Sequence, residues 1–196
     1  MSKLRTISDI QNYLENELGW RTQEIDNLKK IIPNVNSIQA RSLLRAGIPI
    51  LYAHWEGFVN ELKSCFIIFG LKKEIEQLTD TKASIKNIRI TDFLLKELNN
   101  KAKLFYKGII NTQSNLNSAL FEEIITSIGI DATPYKLKYK LIDESLLKRR
   151  NQIAHGEYLD IDIQGYRNLS DEVIALIRHY KTDIENSIIL ESYKST

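Results

Sequence analysis

The sequence predicts an all-α fold, a bundle of four to five main helices. Three observations carry that prediction. Apolar residues recur at three- and four-residue steps through several long stretches. No stretch shows the strict alternation of a half-buried strand. Glycine and proline are scarce, eight and three in 196 residues, too few for a turn-rich β fold. The length suits one domain over residues 1–196, with room for an insertion at about 72–113.

The first helix is expected over 7–31, where Ile7, Ile10, Leu14, Leu18, Ile25 and Leu28 form one apolar stripe. Thr6 or Ser8 supplies the N-terminal cap, and Pro33-Asn34 ends the pattern. The second helix, about 37–71, is apolar on several sides, which marks a buried central element. Pro49 within it predicts a kink or a local break. Residues 72–113 are poorer in apolar positions. A short helix is expected at 91–101, and Lys82, Lys86, Lys96, Lys101, Lys103 and Lys107 form a solvated face or a backbone contact for RNA. A helix follows in "SNLNSALFEEIITSIGI", opened by Ser or Asn and stopped by Gly129. The next is expected over about 138–154 with Gly156 past its end. The last is expected to start near Ser170, ahead of Asp171 and Glu172.

A net charge of +2 diagnoses no partner, so any nucleic-acid site must come from local clustering. The single cysteine, Cys65, excludes a disulfide framework within one chain and reads as a small buried hydrophobe. The N-terminal stretch lacks the apolar core of a signal peptide, and no run of about 18 apolar residues spans a membrane. A cytoplasmic protein is expected.

The chemistry concentrates in "KRRNQIAHGEYL", residues 148–159. A purely structural account exists: arginine and histidine favour the negative end of a helix, and Gly156 is a left-handed cap. Arg150 and His155, five residues apart, diverge by about 140° on a regular helix. They converge only if the helix stops near Ala154 or if a neighbouring surface completes the site. Two chains with these helix ends facing would place two arginines and two histidines in one cleft. Such a cleft suits a substrate that carries its own nucleophile, the 2′-hydroxyl of RNA. Histidine exchanges protons near neutral pH, and arginine grips phosphate oxygens through paired N–H groups. No metal or cofactor is expected, because no Asp/Glu/His set has ligand spacing and no phosphate-binding glycine loop occurs.

"RNQIAH" resembles the R-x4-H motif of the HEPN superfamily, with the favoured polar residue directly after the arginine. "RAGIPILYAHWEGFVNEL" resembles the core helix of bacterial HEPN-like proteins that carry "WEGF" and "RRNxIAHGE" signatures. The resemblance covers about 37–71 and 141–189. It implies a HEPN-like bundle, a homodimer and a metal-independent ribonuclease of the toxin, phage-defence or RNA-processing kind, held in check by an antitoxin or other regulatory protein. It gives Arg150 and His155 the catalytic positions and Asn151 a supporting polar one. Toxins silenced by nucleotide transfer carry tyrosine two residues after the histidine. Glu157 stands there in this chain, and Tyr158 follows it.

Other candidates are weighed beside these. Glu56, a charge on the apolar second helix, is expected to pair with Arg149 or Arg150 and support the site. Arg149 is a surface charge or a second phosphate contact. Trp55 reads as core, His54 as a satisfied histidine and His179 as solvated. The leading expectation is a homodimeric endoribonuclease. The alternative is a non-catalytic HEPN module that binds RNA, a nucleotide or a protein partner.

Overall fold

The computed structural model describes residues 6–35, 37–80 and 115–190, with side chains except those at 63, 64 and 66–80. Among the described residues there is no strand; the chain is an all-α bundle. The expected helix at 91–101 and the lysine run at 82–107 lie outside them.

Helix α1, Ile7–Ile31, opens on a capping box. Thr6 Oγ1 accepts from Asp9 N at 3.1 Å, and Asp9 Oδ2 accepts from Thr6 N at 2.9 Å. This reciprocal pairing satisfies two donors that a helix start leaves open. Ile10, Leu14 and Ile25 turn into the core.

Helix α2, Ile38–Asp80, runs longer than its apolar pattern suggested and passes through Pro49 without a break. Its buried positions, among them Leu44, Ile48, Leu51, Trp55, Phe58 and Leu62, form one continuous stripe on both sides of the proline, so packing holds the helix together where the proline removes a backbone donor. Gly47 is needed at the crossing with the last helix: a Cβ there would meet the Tyr166 ring at 2.5 Å.

Helix α3, Ser118–Ser127, is capped by Asn117, whose side chain accepts from Leu120 N at 2.8 Å. It stops at Gly129 with φ +79°. After a 3-10 turn, Thr133–Lys138, the chain enters a π-helical segment, Leu141–Lys148, that continues into α4, Arg149–Ala154. The regular helix expected over 138–154 is thus a composite.

Helix α5, Ile163–Ile189, begins seven residues before the expected start. Its cap is Asp162, whose carboxylate accepts from Gly165 N at 2.7 Å. Ser170, expected near the start, lies buried inside the helix and donates its hydroxyl to Tyr166 O at 2.8 Å. Gly165 and Asn168 masked this first turn in the sequence, while Tyr166 and Leu169 hold it to the core.

Helices α1, α2 and α5 pack on one another, and α4 with the π segment packs on α2. An aromatic cluster knits the layers. Phe121 of α3 meets Trp55 at 4.9 Å, Tyr135 at 5.1 Å and Tyr180 at 5.5 Å, all edge to face. Such pairs add about 0.5–1.5 kcal/mol each beyond their burial. Cys65 is buried and unbridged. Among the described residues, no helix is long and apolar enough to cross a membrane.

Candidate active site

Helix α4 is only six residues long, and both of its ends are set by unusual local structure. The π-helical segment feeds its start. Such segments widen the helix by one residue per turn, and they recur at functional sites. At its end Gly156 takes φ +79°. Gly156 N donates to Ile153 O at 3.1 Å and Glu157 N to Gln152 O at 2.9 Å. This paired pattern closes the last carbonyls and turns the chain away. The helix therefore stops at Ala154, and His155 is its C-cap, with an exposed side chain. Among the described residues, no side chain pairs with the His155 ring.

Arg150 is half-buried against α2. Its guanidinium carbon lies 4.3 Å from the centre of the Tyr52 ring, a stacked cation–π arrangement. Tyr52 is itself pinned. Its hydroxyl donates to Glu56 Oε1 at 3.0 Å and accepts from Leu116 N at 2.6 Å. Burial above all, then the Glu56 charge, pushes the Tyr52 hydroxyl up to about 12, against a hydrogen bond with Arg150 that pulls it down. The phenol is neutral at physiological pH and keeps its proton on the Glu56 bond. Glu56, Tyr52 and Arg150 thus form a chain of contacts that holds one guanidinium at the start of α4.

The segment entering α3 is stitched to the same place. Leu116 binds Tyr52, and Ser118 donates its backbone N–H and hydroxyl to Asp143, at 2.7 and 2.6 Å. Counting seven residues from Asp143 to Arg150 along a regular helix misplaces them, because Asp143 lies in the π segment.

The remaining sequence candidates separate. Arg149 faces another groove of about 380 Å³, shared with Lys140, Asp160, Asp162 and Glu172. Asn151 is half-buried, and its carbonyl accepts from His155 N at 2.9 Å. Glu56 reaches Arg150 by way of Tyr52. His54 is buried, with Nε2 3.3 Å from Glu24 Oε2 but not aligned for a hydrogen bond. Its ring meets Trp20 edge-on at 5.4 Å. Burial chiefly holds its pKa below the ordinary histidine value. His179, expected to be solvated, is half-exposed and pairs with Asp183 at 3.2 Å. Among the described residues, no group of three His, Cys, Asp or Glu could hold a metal ion. Tyr52 is the residue that sequence reasoning missed. Its signal was the four-residue step to Glu56 on one face of α2.

A guanidinium held on an aromatic ring can bind a phosphodiester, and an exposed imidazole can exchange protons. No curated protein and no solved structure is detectably similar to the chain. The family model RiboL-PSP-HEPN matches residues 16–186, most of the length, and the chain therefore belongs to this HEPN family.

Proposed function

We propose that the protein is a metal-independent endoribonuclease that acts as a homodimer, in a toxin or phage-defence role under the control of an antitoxin or other regulatory protein. The carrying observation is the Glu56–Tyr52–Arg150 arrangement, which holds one arginine on an aromatic ring in the same short helix that the exposed His155 caps. A stack of this kind lowers the cost of presenting a charge to a transition state, since little reorganisation remains.

The reaction follows from the side chains. The 2′-hydroxyl oxygen attacks the adjacent phosphorus, and the bond from phosphorus to the 5′ oxygen breaks. One His155 takes the 2′-hydroxyl proton, and the His155 of the second chain protonates the leaving 5′ oxygen. Arg150 binds the non-bridging oxygens as charge accumulates on the phosphorane. Asn151 orients the histidine. The products are a 2′,3′-cyclic phosphate and a 5′-hydroxyl. His155 is exposed, and no side chain of its own protomer pairs with it among the described residues. That favours completion of the site by a second copy.

The test is an assay of purified protein on mixed RNA with EDTA present, followed by analysis of product ends. Cyclic phosphate or 3′-phosphate termini, with DNA and 2′-O-methyl RNA uncut, are expected. Loss of activity in EDTA, 3′-hydroxyl termini or a strictly monomeric active species overturns the reading.

A further inference from the structure

A second feature lies along α2, one end removed from the proposed catalytic centre. A groove of about 200 Å³ runs between the start of α2 and the chain that leaves His155. It is lined by Ile38, Arg41, Ser42, Arg45, Tyr158 and Asp160, among others. Arg41 is exposed and Arg45 half-buried, and neither has an ion-pair partner among the described residues. Tyr158, a large aromatic ring three residues beyond His155, is 75% exposed. The one carboxylate in the groove, Asp160, leaves it net positive.

These positions are in register with the proposed site. Arg41, Arg45, Tyr52 and Glu56 fall within an arc of about 60° on α2, counting about 100° per residue. Arg45 and Arg41 precede Tyr52 by about 10 and 16 Å along the axis. Two unpaired guanidinium groups and an exposed aromatic ring, aligned with a guanidinium already stacked at the start of α4, are the two elements that hold single-stranded nucleic acid: charge for the backbone and a platform for a base.

We propose that this groove is a subsite for the single-stranded RNA that flanks the scissile bond. Arg41 and Arg45 bind successive backbone phosphates, and Tyr158 stacks on one base. The proposal rests on the ribonuclease reading, and it adds which side of the site the strand occupies. Stacking accepts every base, so the subsite selects unpaired RNA and not a sequence. A duplex cannot splay a base onto Tyr158 without unpairing it.

The experiment is equilibrium binding of a short 2′-O-methyl oligoribonucleotide, which offers phosphates and bases but no free 2′-hydroxyl. Initial rates on unmodified RNA are measured in parallel. Tyr158→Ala is expected to weaken binding about 5- to 150-fold, and Tyr158→Phe to retain it. The double variant Arg41→Ala/Arg45→Ala should weaken binding and reduce the steepness of its logarithmic salt dependence by about 1.4, because two phosphates of a single strand then keep their counterions. On unmodified RNA these variants should raise KM and leave kcat near the parental value. The side chains are largely solvent-facing, so thermal midpoints should hold. If the parent cuts RNA while all variants bind and cut as it does, the subsite is wrong and the ribonuclease reading stands. If the variants lose oligonucleotide binding but no RNA is cut, the subsite stands and the catalytic reading falls. Failure of the parent to bind the oligonucleotide, or equal loss in Tyr158→Phe and Tyr158→Ala, overturns the subsite as described.

Discussion

The Arg150 guanidinium rests on the face of the Tyr52 ring, 4.3 Å from its centre, while the hydroxyl of that ring bridges Glu56 and Leu116. Ring and hydroxyl have separable jobs. Arg150→Ala should lower kcat about 10²–10³-fold by removing a preorganised charge. Arg150→Lys should recover little, since an ammonium offers neither the fork nor the stacking plane. Tyr52→Phe keeps the ring but orphans the buried Leu116 N–H. It should cost about 1–3 kcal/mol of stability and far less activity than Arg150→Ala. Paired cleavage rates and denaturation curves separate the two effects.

His155→Ala should reduce cleavage about 10²–10⁴-fold with little change in thermal midpoint. The helix cap at this position is made by backbone groups, not by the imidazole. Gly156→Ala should behave the opposite way. A Cβ there meets nothing within 4 Å, so the penalty is backbone strain alone, about 1–2 kcal/mol of stability. If His155→Ala cuts RNA at the parental rate while folded, the histidine is a helix terminus and nothing more.

Asp143 accepts two hydrogen bonds from Ser118 at the mouth of α3. Asp143→Ala removes both and leaves a partly buried N–H unmet. A loss of about 1.5–3 kcal/mol is expected, with faster amide exchange at Ser118 than in α5.

The His54 ring, pressed between α1 and α2, makes stability depend on acidity. Its pKa in the folded chain is lowered, so the unfolded chain binds more protons once pH falls below about 6.5. Stability from this group is complete above that pH. It declines as pH drops toward the folded-state value and then levels off. His54→Gln should flatten this part of the profile, read as the difference in thermal midpoint between parent and variant from about pH 7.5 to 5. An unchanged difference across that range refutes the assignment.

What could be read in the sequence was local. Thr6 and Asp9, Asn117, and Gly129 and Gly156 act at helix ends through chemistry that a few neighbouring residues determine. The burial of Trp55 and Cys65 followed from their place on an apolar helix. What could not be read depends on distant partners. Pro49 argued for a kink or a local break in α2, yet a buried stripe that continues on both sides of it carries the helix through. The start of α5 was hidden because Gly165 and Asn168 look like loop residues until Tyr166 is seen packed on Gly47. Arg150 and His155 stood out by type and spacing, but Tyr52 did not. A tyrosine on an apolar helix reads as core until a cation is found on its face.

The π-helical turns at Leu141–Lys148 make the position of Arg150 a matter of residue count. Leu141, Ile142 and Leu146 anchor those turns in the core, and everything downstream inherits their azimuth. Deleting one residue between them and Arg150 would swing the guanidinium by about 100° around the axis, off the tyrosine, with the motif itself intact. The linker over 157–160, exposed for most of its length, lies beyond Arg150 and sets the position of Tyr158 instead. A length change just before the motif should therefore displace Arg150 from Tyr52, and one at 158–160 should leave that contact in place while moving Tyr158 in its groove.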